Sequence, residues 1–151
     1  MVDSTSKNGT MLLNIIQKPD GSLDEETEWI LAELTKWFAI NGEAIYGSRP
    51  YKVYCEGTNN GNIKSFDETR ISWNNTDLRF VVKNEKLYTF VMAPKGGQPV
   101  VIRSIPQNKK VNRIRLLGYG NVEFNQFEGV VTIKMPDSLP LEYVNTLEIS
   151  F

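Results

Sequence analysis

Along this chain the spacing of hydrophobic side chains changes character near residue 50, from a run and a helical stripe before it to two-residue alternation after it. Met11-Leu12-Leu13-Asn14-Ile15-Ile16 is a short apolar run with turn-forming residues on both sides and no helical spacing before Pro19-Asp20-Gly21. Such a run predicts a buried strand. Ser22-Leu23-Asp24-Glu25 then has the form of a capping box, in which Ser22 accepts from the backbone of Glu25 while Glu25 reaches back. Glu26 and Glu28 place negative charge near the positive end of the helix dipole. Ile30, Leu31, Leu34, Trp37 and Phe38 recur at three- and four-residue intervals on one stripe, and Gly42 after Asn41 predicts the stop. Strand, turn and amphipathic helix make one βα unit. Residues 1–7 are polar and are expected to be loose unless they enter the strand that follows.

From Gly47 the composition turns toward strands and turns. Residues 51–56 predict a strand, residues 57–62 an exposed loop, and residues 66–73 a loop with at most a short strand. Beyond Asn74, Leu78, Phe80 and Val82 alternate with Arg79, Val81 and Lys83, and a turn at Asn84-Glu85 leads to a second strand over residues 87–92, so the pair predicts a hairpin. Further strands are expected over residues 100–105, 112–117, 122–127, 129–135 and 143–151. In these, Ile114 and Leu116 oppose Arg113 and Arg115, and Leu147, Ile149 and Phe151 oppose Thr146, Glu148 and Ser150. Short antiparallel strands with one wet face each predict a sandwich.

The N-terminal βα unit lacks a setting of its own. A buried strand needs neighbours on both edges and the helix stripe needs a sheet to cover, yet no second βα unit follows. Ser6-Lys7-Asn8-Gly9, Leu12-Leu13-Asn14-Ile15, Asp20-Gly21, Trp37 and the stretch Asn41-Gly42-Glu43-Ala44-Ile45-Tyr46-Gly47-Ser48-Arg49-Pro50 resemble the end of the catalytic barrel of family 29 α-L-fucosidases. The chain departs from that pattern at Ile16-Gln17, where many members have Gly-Pro, and at Tyr51, where many have Trp. The resemblance implies a mainly β fold: an antiparallel β-sandwich preceded by one strand and one amphipathic α-helix left over from a (β/α) barrel. Residues 1–50 would be the terminal, incomplete unit of the barrel and residues 51–151 the C-terminal sandwich.

At 151 residues there is room for one ordinary domain and a little more, whereas a complete eightfold barrel needs roughly 250 residues. Seventeen basic and eighteen acidic side chains leave a net charge of −1, which argues against nucleic acid or an anionic membrane surface as a partner. No stretch has transmembrane length, and the N-terminus lacks the layout of a signal peptide. The resembled family is typically exported to periplasmic, extracellular or lysosomal compartments. The single cysteine, Cys55, is expected to be a small buried hydrophobe in a strand, since no histidine exists to activate it.

Retaining glycosidases need two carboxyl groups about 5 Å apart, one as nucleophile and one as acid/base. In the resembled family both come from earlier barrel strands and loops, so no catalytic residue is expected here and the chain alone is expected to be inactive, a structural or accessory portion of a retaining fucosidase. Asp20 is assigned to a turn, and Asp24, Glu25, Glu26 and Glu28 to a solvated first helical turn. Zero histidines exclude His-based triads and His-rich metal sites, and the resemblance implies no metal or other cofactor. Two binding readings are carried forward. Asn14, at the C-terminal end of the expected strand, would sit on the rim of the fucose pocket of a whole enzyme, or serve as a structural amide. An alternative function is a carbohydrate-binding sandwich, with Trp73 or Tyr119 stacking on a sugar, against the plainer reading of packing. Expected partners are the missing catalytic barrel, fucosylated glycans in the parent, and a second copy meeting this one through the helix between Glu25 and Ile40, or the helix folds back onto the sandwich.

Overall fold

The computed structural model describes residues 1–59 and 71–151. Among these, nine strands form two antiparallel sheets packed face to face, the sandwich that the alternation predicts. The larger sheet has the order β1 (Arg49–Glu56), β2 (Leu78–Lys83), β3 (Lys86–Val91), β9 (Asn145–Ser150), β5 (Arg113–Leu116), β6 (Gly120–Asn121). The smaller has the order β4 (Val100–Ile102), β8 (Val130–Ile133), β7 (Phe124–Phe127). Leu78, Phe80, Leu87, Val91, Ile114, Leu116, Leu147 and Ile149 from the larger sheet meet Val100, Ile102, Val131 and Ile133 from the smaller in one core. The β2–β3 hairpin turns at Asn84 and Glu85, both with positive φ, which the two-residue type I′ turn requires. The expected strand over residues 100–105 shortens to three residues, and that over residues 122–127 divides into β6 and β7. Residues 71–73 carry no strand, while residues 60–62 of the expected loop and 66–70 of the ambiguous segment lie outside the described residues.

The larger sheet is not wet on its outer face. Val81, Tyr88 and Phe90 point outward and form a second apolar cluster with Trp37 and Ala44 of α2 (Glu25–Ile45), Val2 of α1 (Val2–Ser6), and Leu117. Trp37 stacks over Phe90 at 6.5 Å between ring centroids, and its indole N–H donates to the Val144 carbonyl at 2.8 Å. Gly118, with φ of +80°, lets the Ile40 side chain come within 3.1 Å of where a Cβ would stand. The C-terminal half of α2 is therefore folded back onto the sandwich.

Several local expectations are corrected. The run from residue 11 to residue 16 forms no strand: Leu12 is 87 % and Ile16 77 % exposed, and the whole stretch from residue 9 to residue 18 has no regular secondary structure. A buried parallel strand exists only between neighbours, and the described residues supply none on either side. Ser22 does not cap α2, because its amide and hydroxyl both donate to the Asp20 carboxylate; Asp24 is the N-cap and accepts from the Thr27 amide at 2.7 Å. Gly42 does not stop the helix, which continues to Ile45 because Ala44 is packed on the sheet beyond it. The polar residues 1–7 are ordered rather than loose, since α1 packs on β1 and β2 with Val2 and Ser6 buried. Cys55 lies in β1, half-buried rather than fully enclosed.

Candidate functional site

Charged side chains on the outer face of the larger sheet are organised around one buried carboxylate. Glu148, on β9, is 1 % exposed and accepts from Lys86 at 3.0 Å, from Arg115 at 2.9 Å, from Arg113 at 3.4 Å and from the Tyr88 hydroxyl. Arg115 also reaches Glu43 of α2 at 2.6 Å, and Lys83 donates to the Glu43 carbonyl, so the network ties the last turn of the helix to four strands, β2, β3, β5 and β9. Burial pushes the Glu148 carboxyl up, but hydrogen bonds from Arg115 and Lys86 outweigh it and hold the group below its ordinary 4.5. Burial, with the Glu148 charge, pushes the Tyr88 phenol up to about 12. Sequence reasoning assigned Arg113, Arg115 and Glu148 to a solvated face. The signal available was their placement on one face of strands that the chain could pair, but nothing local announced that a helix would roof them.

Glu43 and Glu148 both accept from one guanidinium nitrogen of Arg115, which makes them the acids to weigh as a catalytic pair. Their surroundings suit a structural ion network and not acid/base work. Arg115 stands between them, Glu148 is closed off from any incoming glycoside, and its proton affinity is lowered where a general acid needs it raised. Other carboxylates are equally occupied. Asp77, fully buried, gathers the Asn59 and Asn74 amides, the Asn59 side chain and the Thr58 hydroxyl; Glu56 accepts from the Arg103 and Ser104 amides. Arg79, also fully buried, pairs with Asp3 of α1, donates to the Leu78 and Asn59 carbonyls and lies 5.0 Å from the Trp73 ring centroid. Among the described residues no group of three His, Cys, Asp or Glu side chains could hold a metal ion, and no helix is long and apolar enough to cross a membrane.

The residues singled out in the sequence do not come together. Asn14 is exposed in the irregular stretch of residues 9–18. Trp73 is half-buried rather than exposed, with the Arg79 guanidinium over its ring, an arrangement of packing and cation–π attraction. Tyr119, 57 % exposed, sits in the tight turn between β5 and β6. What the N-terminal third does present is unburied apolar surface: Met11, Leu12, Leu13, Ile15 and Ile16, followed by Trp29 and Ile30 on the front half of α2. All the fully buried positions of α2 lie from Trp37 onward, so its first three turns carry the predicted stripe without a sheet beneath it.

The chain as a whole, N-terminal third included, has counterparts in known proteins. The family model described as alpha-L-fucosidase matches residues 1–43, the tissue alpha-L-fucosidase of Mus musculus is 31 % identical over 99 % of this chain, and the Thermotoga maritima alpha-fucosidase, solved with a mechanism-based inhibitor, superposes on 99 % of it with a TM-score of 0.73 and 25 % identity. The chain belongs to the α-L-fucosidase family. It is similar to the Homo sapiens tissue alpha-L-fucosidase as well, at 29 % identity over 78 % of its length. It spans 31 % of the mouse fucosidase and 32 % of the Thermotoga fucosidase, about a third of each. The stretch matched by the family model, residues 1–43, also holds most of the large exposed apolar side chains.

Proposed function

We propose that the chain is the C-terminal portion of an α-L-fucosidase, with the last strand and helix of the catalytic barrel in residues 1–50 and an accessory β-sandwich in residues 51–151. The whole enzyme would remove terminal α-L-fucose with retention of configuration, and its catalytic carboxylates would lie outside these residues. One observation carries this reading: a sequence with the family motif leaves Leu12 and Ile16 in water, although such a run is stable only between parallel strands. The coverage of about a third of fucosidase relatives supports it.

The test is complementation. The chain alone releases no chromophore from an aryl α-L-fucoside. Co-expressed with the barrel of a family 29 fucosidase truncated before its last strand, it restores hydrolysis with retention, and Leu12→Asp removes the rescue while leaving the sandwich folded. Turnover by the chain alone that survives repurification overturns the proposal, as does rescue that is indifferent to Leu12→Asp.

A further inference from the structure

The two outer faces of the sandwich differ: α1 and α2 pack on the larger sheet, while the smaller sheet presents a row of side chains to solvent. Ladder register defines that row. Val101 pairs with Thr132, which pairs with Asn125; Val130 pairs with Phe127; and Lys134 lies opposite Glu123, its amide donating to the Glu123 carbonyl. Phe127 is 71 % exposed on the same face as Asn125. Asn125 and Thr132 are exposed side by side, and neither side chain makes a hydrogen bond among the described residues. A shallow depression bordered by Gly97, Pro99, Asn125, Thr132 and Lys134 runs beside them.

We infer that this face is a binding surface for a neutral oligosaccharide. A pyranose has one apolar C–H face and a rim of hydroxyls that both donate and accept. Phe127 offers a ring to the first, and Asn125 and Thr132 offer donors and acceptors to the second. Charge selects against other occupants: Lys134 and Glu123 form an exposed ion pair at 3.5 Å and cancel, so the face attracts neither a polyanion nor a cationic segment. Four residues along β7 separate the Glu123 and Phe127 ends, about 13 Å at strand rise, a length that spans a short oligosaccharide. The surface stands on its own geometry; the choice of a fucosylated probe alone rests on the proposed fucosidase function.

The experiment is a titration of the isotope-labelled 151-residue chain with 2′-fucosyllactose, with a neutral oligosaccharide lacking fucose, and with a sulfated oligosaccharide. A neutral glycan is expected to shift the amides of Asn125, Phe127 and Thr132 with millimolar affinity, Phe127→Ala to weaken binding about tenfold, and Tyr119→Ala to leave it unchanged. Because Phe127 and Asn125 are exposed, their variants keep the spectrum of the folded chain. Absence of shifts with both neutral glycans, shifts confined to the sulfated one, or binding unchanged in Phe127→Ala and Asn125→Ala each overturns the inference. None of these results bears on complementation, which reads hydrolysis.

Discussion

At Glu148 a single side chain decides how the helix meets the sheet. With three partly exposed cations and a tyrosine hydroxyl around it, the carboxylate is the one group that all of them share. Glu148→Ala should cost about 2 kcal/mol in chemical denaturation, less than for a fully enclosed pair because the abandoned cations keep some water. The carboxyl titrates lower in the folded chain than in the unfolded one, so its contribution is complete above the ordinary glutamate range and is lost as pH falls below about 4.5. Urea midpoints followed downward through that range should fall more steeply in the native chain than in Glu148→Gln. Tyr88 has the opposite sign: its raised value of about 12 means stability lost as pH climbs above the ordinary phenol value of 10. Ultraviolet titration should show a late phase that Tyr88→Phe diminishes. Asp24 offers a smaller check. Asp24→Ala should speed amide exchange at Thr27 and fray the first turn, while Ser22→Ala leaves Thr27 unchanged. Both residues are acceptable caps by type, so sequence alone favoured Ser22; what decides is that Asp20 already engages its hydroxyl.

Strands β2, β3, β5 and β9 were legible because their alternation is regular and their inward side chains are apolar apart from Thr89 and Asn145. Helix α2 was legible for the same reason at the other period. Its partner surface was not, because Val81, Tyr88 and Phe90 look like ordinary outward positions of a sandwich strand until a helix is laid over them. The apolar run of residues 11–16 shows the converse: a local pattern can demand an environment that the described residues do not contain. Trp37→Ala should release α2 from the sheet, costing about 3 kcal/mol and exposing the helix to limited proteolysis while the two sheets persist. Wholesale collapse of the sandwich on that substitution would contradict the separation of the two apolar clusters.

The whole molecule combines a closed core with a surface that water does not favour. Trp29, Ile30 and the apolar side chains of residues 11–16 are exposed together in the N-terminal third, and exposed apolar side chains of this kind favour association. Sedimentation should show concentration-dependent association through residues 25–40 of the helix, weakened by Ile30→Glu without loss of thermal stability. A monomer at all concentrations would mean that these side chains are tolerated in solvent singly. Sequence could place this family resemblance because its residues lie in short stretches between Ser6 and Pro50, and could not place the smaller sheet's outer row because its meaning depends on cross-strand neighbours far apart along the chain.

Arg79 imposes a rule on anyone who would transplant the β-module into another scaffold. Its guanidinium is entirely enclosed, and the acid that neutralises it arrives from the opposite end of the polypeptide, on α1. A cassette cut at the first strand would inherit a stranded cation in a dry setting, so successful chimeras should either carry the opening seven residues along or replace the arginine with methionine.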